Sequence, residues 1–137
     1  MPAETSLVLV DTNILAYLLI EGDRTAAAQA LYARDADWRS EAFIMVELSN
    51  VLATYVRTKA LTHRQGTELL AQAQARMPTF ANVQHAQAFD AATEFAISAY
   101  DGRFIAAAKQ IRSKLVTEDV RLRAAAPAWT LSLDDAV

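Results

Sequence analysis

Leu7-Val8-Leu9-Val10-Asp11-Thr12-Asn13 runs four apolar residues straight into a carboxylate and two small hydrogen-bonding side chains. A buried strand that ends this abruptly in polar groups marks a place where chemistry is done rather than packing. Ile14, Leu15, Leu18 and Leu19 then recur at helical spacing. The pattern predicts a strand-to-helix turn with Asp11 to Asn13 beside the helix N-terminus. Open α/β sheets bind ligands there, outside the carboxyl ends of their strands.

The same signature returns near the other end, where Leu115-Val116 halts at Thr117-Glu118-Asp119. Between the two, helical and extended patterns alternate. Ala26 to Arg34 reads as an alanine-rich helix, Trp38 to Ser40 as a brief strand, and Ile44, Leu48, Val51, Leu52 and Tyr55 as the apolar stripe of a helix. Thr62 with Gln65 predicts a capping box for a helix through Arg76, ended by Pro78. Phe80 to Val83 is expected to form a third short strand. His85, Ala88, Phe89, Ala92, Phe95, Ala96 and Ala99 predict another core-facing helix. Asp101 is expected at the start of the next, with Phe104, Ile105, Ala108 and Ile111 turned inward. Trp129 to Leu133 is expected to add a last strand, with Asp134 to Val137 fraying. Strands alternating with helices imply a mainly parallel sheet covered on both faces, hence an α/β fold: a three-layer α/β/α sandwich formed as one domain over residues 1–137.

Composition agrees with one packed domain. The 137 residues are 53% hydrophobic and 21% charged, with three Gly, three Pro and no tract that would mark a linker. With no cysteine, a disulfide framework and a thiolate zinc site are both excluded. The longest apolar run, Ile14 to Ile20, is far short of the roughly 20 residues that span a bilayer, so no membrane segment is expected. Met1 to Ser6 lack the features of a secretory signal, and a cytoplasmic location is the expectation.

Four acids carry the chemical argument. Asp11 and Asp119 end apolar runs, Asp101 opens a helix, and Glu47 lies at the edge of a buried helical stripe. Singly, each has a structural explanation: Asp is favoured at helix starts, and Glu47 has Arg103 as an available partner. Together, four independent structural roles are a strained account. Were they to converge, mutual repulsion would raise their pKa values until a cation entered. An all-oxygen donor set selects a hard ion, Mg²⁺ or Mn²⁺, over zinc. Such an ion activates water against a phosphate, so phosphodiester hydrolysis is the reaction class that fits. The two histidines, His63 and His85, sit in predicted helices without partner motifs, which argues against a histidine-based mechanism.

The net charge of −3 argues against indiscriminate polyanion binding, but it is unevenly spread. Residues 1–50 carry −5 and residues 51–137 carry +2. Arg103, Lys109, Arg112, Lys114, Arg121 and Arg123 crowd the segment from 101 to 123. Each alone reads as a solvated helix surface; as a cluster they are candidates for phosphate contacts.

In these motifs the chain resembles the PIN-domain ribonucleases, especially the toxin halves of VapBC-type toxin–antitoxin pairs. The resemblance rests on Leu7 to Asn13, on Trp38 through Glu47 continuing to Leu52, on Ser98-Ala99-Tyr100-Asp101-Gly102-Arg103-Phe104-Ile105-Ala106-Ala107-Ala108, and on Leu115 to Asp119, in that order. It implies that Asp11 and Asp101 ligate metal directly. Glu47 and Asp119 would complete the pocket, through bound water or as ligands of a second ion. Thr12, Asn13 and Thr117 would hold carboxylates and water in place. It further implies Mg²⁺-dependent endonucleolytic cleavage of RNA, a cognate antitoxin lying across the active site, and a homodimer. The chain departs from the family pattern twice. Gly102 stands where alanine often follows the third acid, at a helical cost of up to about 1 kcal/mol. Glu41 stands where many relatives have proline, and is expected to add negative charge on the approach to the Glu47 helix.

Two other functions compete. A catalytically silent module that binds RNA or protein would show metal affinity without strand scission. A Mg²⁺-dependent phosphatase fits the fold class but lacks the nucleophile pattern, since Asn13 follows Asp11-Thr12 and no second carboxylate appears at that spacing.

Overall fold

The computed structural model describes residues 6–137. Residues 1–5, part of the expected domain, lie outside the described residues. Strand β1 (Val8–Val10) leads into helices α1 (Thr12–Leu19) and α2 (Thr25–Arg34), then β2 (Trp38–Arg39). Four helices follow: α3 (Phe43–Arg57), α4 (His63–Arg76), α5 (His85–Phe95) and α6 (Ala99–Ile111). The chain closes with β3 (Leu115–Val116), α7 (Val120–Ala125), a 3-10 turn (Pro127–Trp129), β4 (Thr130–Leu131) and α8 (Leu133–Ala136).

The four strands form one parallel sheet in the order β2-β1-β3-β4, with Leu9 opposite both Arg39 and Leu115, and Val116 opposite both Val10 and Leu131. Parallel strands need helical crossovers, and the helices cover the sheet as an α/β sandwich. The chain leaves β1 toward β2 on one side and later returns to β3 on the other. The switch point therefore falls between the carboxyl ends of β1 and β3, at Asp11 and Thr117. The sheet is buried at Leu9, Val10, Leu115 and Val116, against Ile14 and Leu15 of α1, Ile44 and Leu48 of α3, and Phe104 and Ile105 of α6.

Several local expectations are met by particular contacts. Thr62 and Gln65 form the reciprocal capping box that starts α4. Three others are corrected. Phe80 to Val83 is not a strand: it pairs through the single bridge Glu41–Ala81, because its partner turns into α3 at Ala42 and offers no further rung. The expected last strand is only Thr130–Leu131, since Ser132 accepts from the Asp135 N–H and starts α8. The C-terminus, expected to fray, is held by fully buried Leu133, by Arg24 on Asp134 at 2.9 Å, and by Arg34 donating to the Ala136 carbonyl at 3.0 Å.

Gly102 is a packing requirement rather than a local concession. A Cβ there would stand 2.5 Å from the Ala88 carbonyl oxygen and 3.2 Å from the Ala92 nitrogen. Helices α5 and α6 meet through small residues, Ala88, Ala91 and Ala92 on one side and Gly102 on the other. That close approach fixes the start of α6, and with it Asp101.

Candidate active site

Asp11 follows the last residue of β1 in extended backbone conformation, so its side chain projects at the mouth of α1. One oxygen accepts from the Ile14 N–H at 3.2 Å, capping α1. The other accepts from the Thr117 hydroxyl at 2.5 Å. Thr117 is fully buried after β3, and its hydroxyl oxygen also accepts from the Asp119 N–H at 3.1 Å. One threonine thus joins the two acids that end the adjacent central strands. Asp119 in turn caps α7 through the Leu122 N–H at 3.1 Å.

Two helices bring the other acids to this edge. Glu47, one turn into α3, accepts from the Thr12 hydroxyl at 2.7 Å, which orients it toward α1. Asp101 stands in the first turn of α6, its N–H donating to the N-cap Ser98 at 3.0 Å. Asp11, Glu47, Asp101 and Asp119 all line one cavity of about 530 Å³, together with Thr12 and Asn13. No Lys or Arg pairs with any of the four among the described residues.

The electrostatics follow from that crowding. Burial, reinforced by the charges of Glu47 and Asp101, pushes the Asp11 carboxyl from 3.8 up to about 6 against the lowering effect of its hydrogen bonds with Thr117 and Ile14. Asp101 is also raised, by burial first and then by the charge of Asp119, while its hydrogen bond with Ser98 lowers it. Asp11 and Asp101 thus feel the charge of their acidic neighbours, with no ion pair to offset it among the described residues. The four acids surround the space rather than meet at a point: among the described residues no three acidic or histidine side chains converge closely enough to hold one ion by themselves.

The basic cluster of residues 103–123 does not stay together. Arg103 donates to Glu41 at 3.4 Å, to the Val83 carbonyl at 3.0 Å and to His85 Nδ1 at 2.6 Å. Lys109 pairs with Glu94 of α5 at 2.6 Å. Arg112 ends α6 and Lys114 precedes β3, so both lie at the opposite end of the sheet, where Lys114 lines a separate cavity with Leu7 and Val8. Arg123 is partly buried. Arg121, exposed in the first turn of α7, is the member of the cluster that remains beside Asp119.

Glu41 corrects the expectation of added negative charge on the approach to α3. It is 3% exposed, accepts from the Phe43 and Val83 N–H groups, and pairs with Arg103. It therefore serves as an internal cap joining α3 to α6. Arg103 belongs to Glu41, not to Glu47.

Sequence reasoning missed Phe43, Val46, Asn50 and Tyr100, which also line the cavity. Val46 and Asn50 flank Glu47 at one and three residues, which places them on neighbouring helical positions. That spacing was the available signal.

A family model described as PIN domain matches residues 8–127. Among solved structures, PAE2754 from Pyrobaculum aerophilum aligns with a TM-score of 0.77 over 97% of this chain and 93% of its own, at 17% identity. VapBC2 from Rickettsia felis, determined bound to a DNA fragment from its promoter, aligns with a TM-score of 0.67 over 93% of this chain and 98% of its own, at 15% identity. At such identities the two share the fold. No curated protein matches the chain in sequence. Since the family model runs unbroken from β1 past the helix that Asp119 caps, taking in all four acids, the chain belongs to the PIN domain family.

Proposed function

We propose that this protein is a divalent-metal-dependent endoribonuclease and the toxin of a toxin–antitoxin pair. PIN domains are generally nucleases, which supports the reaction class. The observation that carries the reading is the cavity in which four carboxylates from the β1–α1 junction, α3, α6 and the β3–α7 junction face one another, with no protein cation paired to them among the described residues. Carboxylates crowded in this way, two of them with raised pKa values, favour entry of a hard cation.

The donor set fits Mg²⁺ or Mn²⁺, which Asp11 and Asp101 would hold, with Glu47 and Asp119 completing the pocket directly or through water. Such an ion, when bound, lowers the pKa of a coordinated water and offsets charge developing on phosphate oxygens. The chain's own groups do the positioning. The Thr117 hydroxyl and the Ile14 N–H fix both oxygens of Asp11, and the Thr12 hydroxyl fixes Glu47 Oε1. Asn13 lines the cavity beside them, a polar group available to water or substrate.

The toxin role is supported by the structural likeness to VapBC2 from Rickettsia felis. On this reading an antitoxin covers the cavity, RNA is the substrate, and the protein works as a cytoplasmic dimer. A binding module without turnover is favoured by one observation: among the described residues no three carboxylates stand close enough to grip an ion unaided.

Purified protein incubated with total cellular RNA distinguishes these readings. Cleavage is expected with Mg²⁺ or Mn²⁺, and is expected to vanish with chelator and in Asp101→Asn. Removing a group that acts on the transition state should cost at least about a hundredfold in rate. Expression is expected to arrest growth, with relief by Asp11→Asn. Chelator-resistant cleavage would overturn the mechanism, and metal binding without scission would favour the silent module.

A further inference from the structure

Past the end of β3, Thr117 still donates its N–H to the Leu131 carbonyl at 2.9 Å, and Asp119 two residues on is in extended conformation. Alternate side chains along an extended chain point to opposite sides. Thr117 and Asp119 accordingly turn toward the acids, one onto Asp11 and the other into the cavity. Glu118, between them, turns toward α8. Its Oε1 accepts from the Leu133 N–H at 2.7 Å, and its Oε2 stands 3.6 Å from the Arg24 guanidinium. Arg24, just ahead of α2, donates also to Asp134 at 2.9 Å.

The two cavity groups on this stretch are not equally well anchored. Thr117 is fully buried and fixed by its bond with Leu131. Asp119 lies past the sheet and is exposed, and its own hydrogen bonds go to Thr117 and Leu122, its neighbours in the chain. Glu118 supplies the distant tie, because Leu133 is fully buried in the core. Of its two contacts the Leu133 N–H counts for more. The Arg24 pair is part of an exposed network, with the Asp134 side chain 77% exposed, and such pairs contribute little. A first-turn N–H has no partner within its own helix, and a charged acceptor holds it about twice as strongly as a neutral one.

We propose that Glu118 is a positioning residue: clamped by the Leu133 N–H and by Arg24, it fixes the turn into α7 and so sets where Asp119 stands in the cavity. Helix α8 thereby helps to build the site although it contributes no group to it. The consequence for metal binding rests on the nuclease reading above; the placement of Asp119 does not.

The test compares Glu118→Ala and Glu118→Gln with the unmodified chain, at a temperature where circular dichroism shows all three folded. Hydrogen exchange at the Asp119 and Leu122 amides and calorimetric affinity for Mg²⁺ are the two readouts. Alanine removes both contacts, whereas glutamine keeps an oxygen for the Leu133 N–H. In Glu118→Ala, exchange at the two amides is expected to quicken by about tenfold or more while the amides of β1 keep their rates. Mg²⁺ affinity is expected to fall by about tenfold, as when a group supporting a metal ligand is lost. Glu118→Gln should recover most of both. If alanine prevents folding, Glu118→Asp, which keeps the charge but falls short of Leu133, is read the same way. On an Asp119→Asn background the alanine substitution should cost little further affinity, since the residue through which it acts is already altered. Unchanged exchange in Glu118→Ala, or a rise shared by the β1 amides, would overturn the proposal. So would a glutamine variant no better than alanine, or an affinity loss of equal size with and without the Asp119 carboxylate. Faster exchange with unchanged affinity for Mg²⁺ would make Glu118 a tie of the fold alone, and also overturns it. If the unmodified protein binds no Mg²⁺ and cuts no RNA, yet the two amides quicken in Glu118→Ala and recover in Glu118→Gln, the nuclease reading fails and the clamp stands. If it binds Mg²⁺ and cuts RNA, and Glu118→Ala matches it in affinity and exchange, the clamp fails and the nuclease reading stands.

Discussion

One oxygen of Asp11 closes the first turn of α1 while the other takes the Thr117 hydroxyl, so the residue is a helix cap and a cavity acid at once. Its carboxyl, lifted from 3.8 to about 6, is neutral in the folded metal-free protein at pH values where it would be ionised in the unfolded chain. A raised carboxylate pKa gives stability that is fully present below about pH 4 and lost as pH rises through about 6. At roughly 1.4 kcal/mol per unit the difference amounts to about 3 kcal/mol at most. In chelator, Asp11→Asn lacks this loss. Denaturant unfolding should show the variant gaining on the wild type by about 1–3 kcal/mol between pH 4 and pH 6.5 and then levelling. A parallel pair of pH profiles would contradict the assignment. The positions of the four acids were legible in sequence because Asp11 and Asp119 follow apolar runs, Glu47 interrupts a buried stripe and Asp101 opens a helix. Glu41 was misread for the opposite reason. Its burial depends on Arg103 and Val83, distant in the chain, and nothing local distinguishes an internal cap from a surface acid.

The helices that carry Glu47 and Asp101 are positioned by contacts that hydrophobic periodicity does not encode. Glu41 and Arg103 tie the start of α3 to α6, and Gly102 lets α6 settle onto α5. Two effects of opposite sign meet at Gly102. Alanine in an exposed helix would add about 1 kcal/mol of stability, whereas forcing a methyl into a packed interface costs about 1–3 kcal/mol. Here the obstructing atom is a backbone carbonyl oxygen at 2.5 Å, which cannot swing aside, so the packing cost wins. Gly102→Ala should lower the melting temperature measured by circular dichroism and shift α6 with its Asp101. A stabilised variant would show that the two helices are less closely packed than the structure has them. Helices with clear stripes or caps, α3 and α4 above all, were readable from sequence. Strands of two residues were readable only roughly, since a parallel pairing partner rather than a local pattern sets where they begin and end. Phe80 to Val83 has the composition of a strand and lacks the partner.

Across the whole molecule, the order β2-β1-β3-β4 places β1 and β3 side by side although they lie at opposite ends of the sequence. Asp11 and Thr117 meet for that reason, and α3 and α6 complete the rim with Glu47 and Asp101. The alternation of strands and helices predicted a layered α/β fold, but strand order is a property of crossovers and cannot be read from any one segment. The dispersal of the basic cluster has the same origin. Residues adjacent in sequence along α6 and into β3 span the full height of the sheet, so Arg103 and Lys114 cannot serve one site. What topology assembles is an acidic cavity with an aromatic rim, and the function proposed for it requires a cation there. Calorimetric titration of Mg²⁺ into the metal-free protein at neutral pH, beside Asp101→Asn, tests this most directly. Saturable binding that weakens by about tenfold or more in the variant is the predicted result; no binding to the wild type, or equal binding to both, would contradict it.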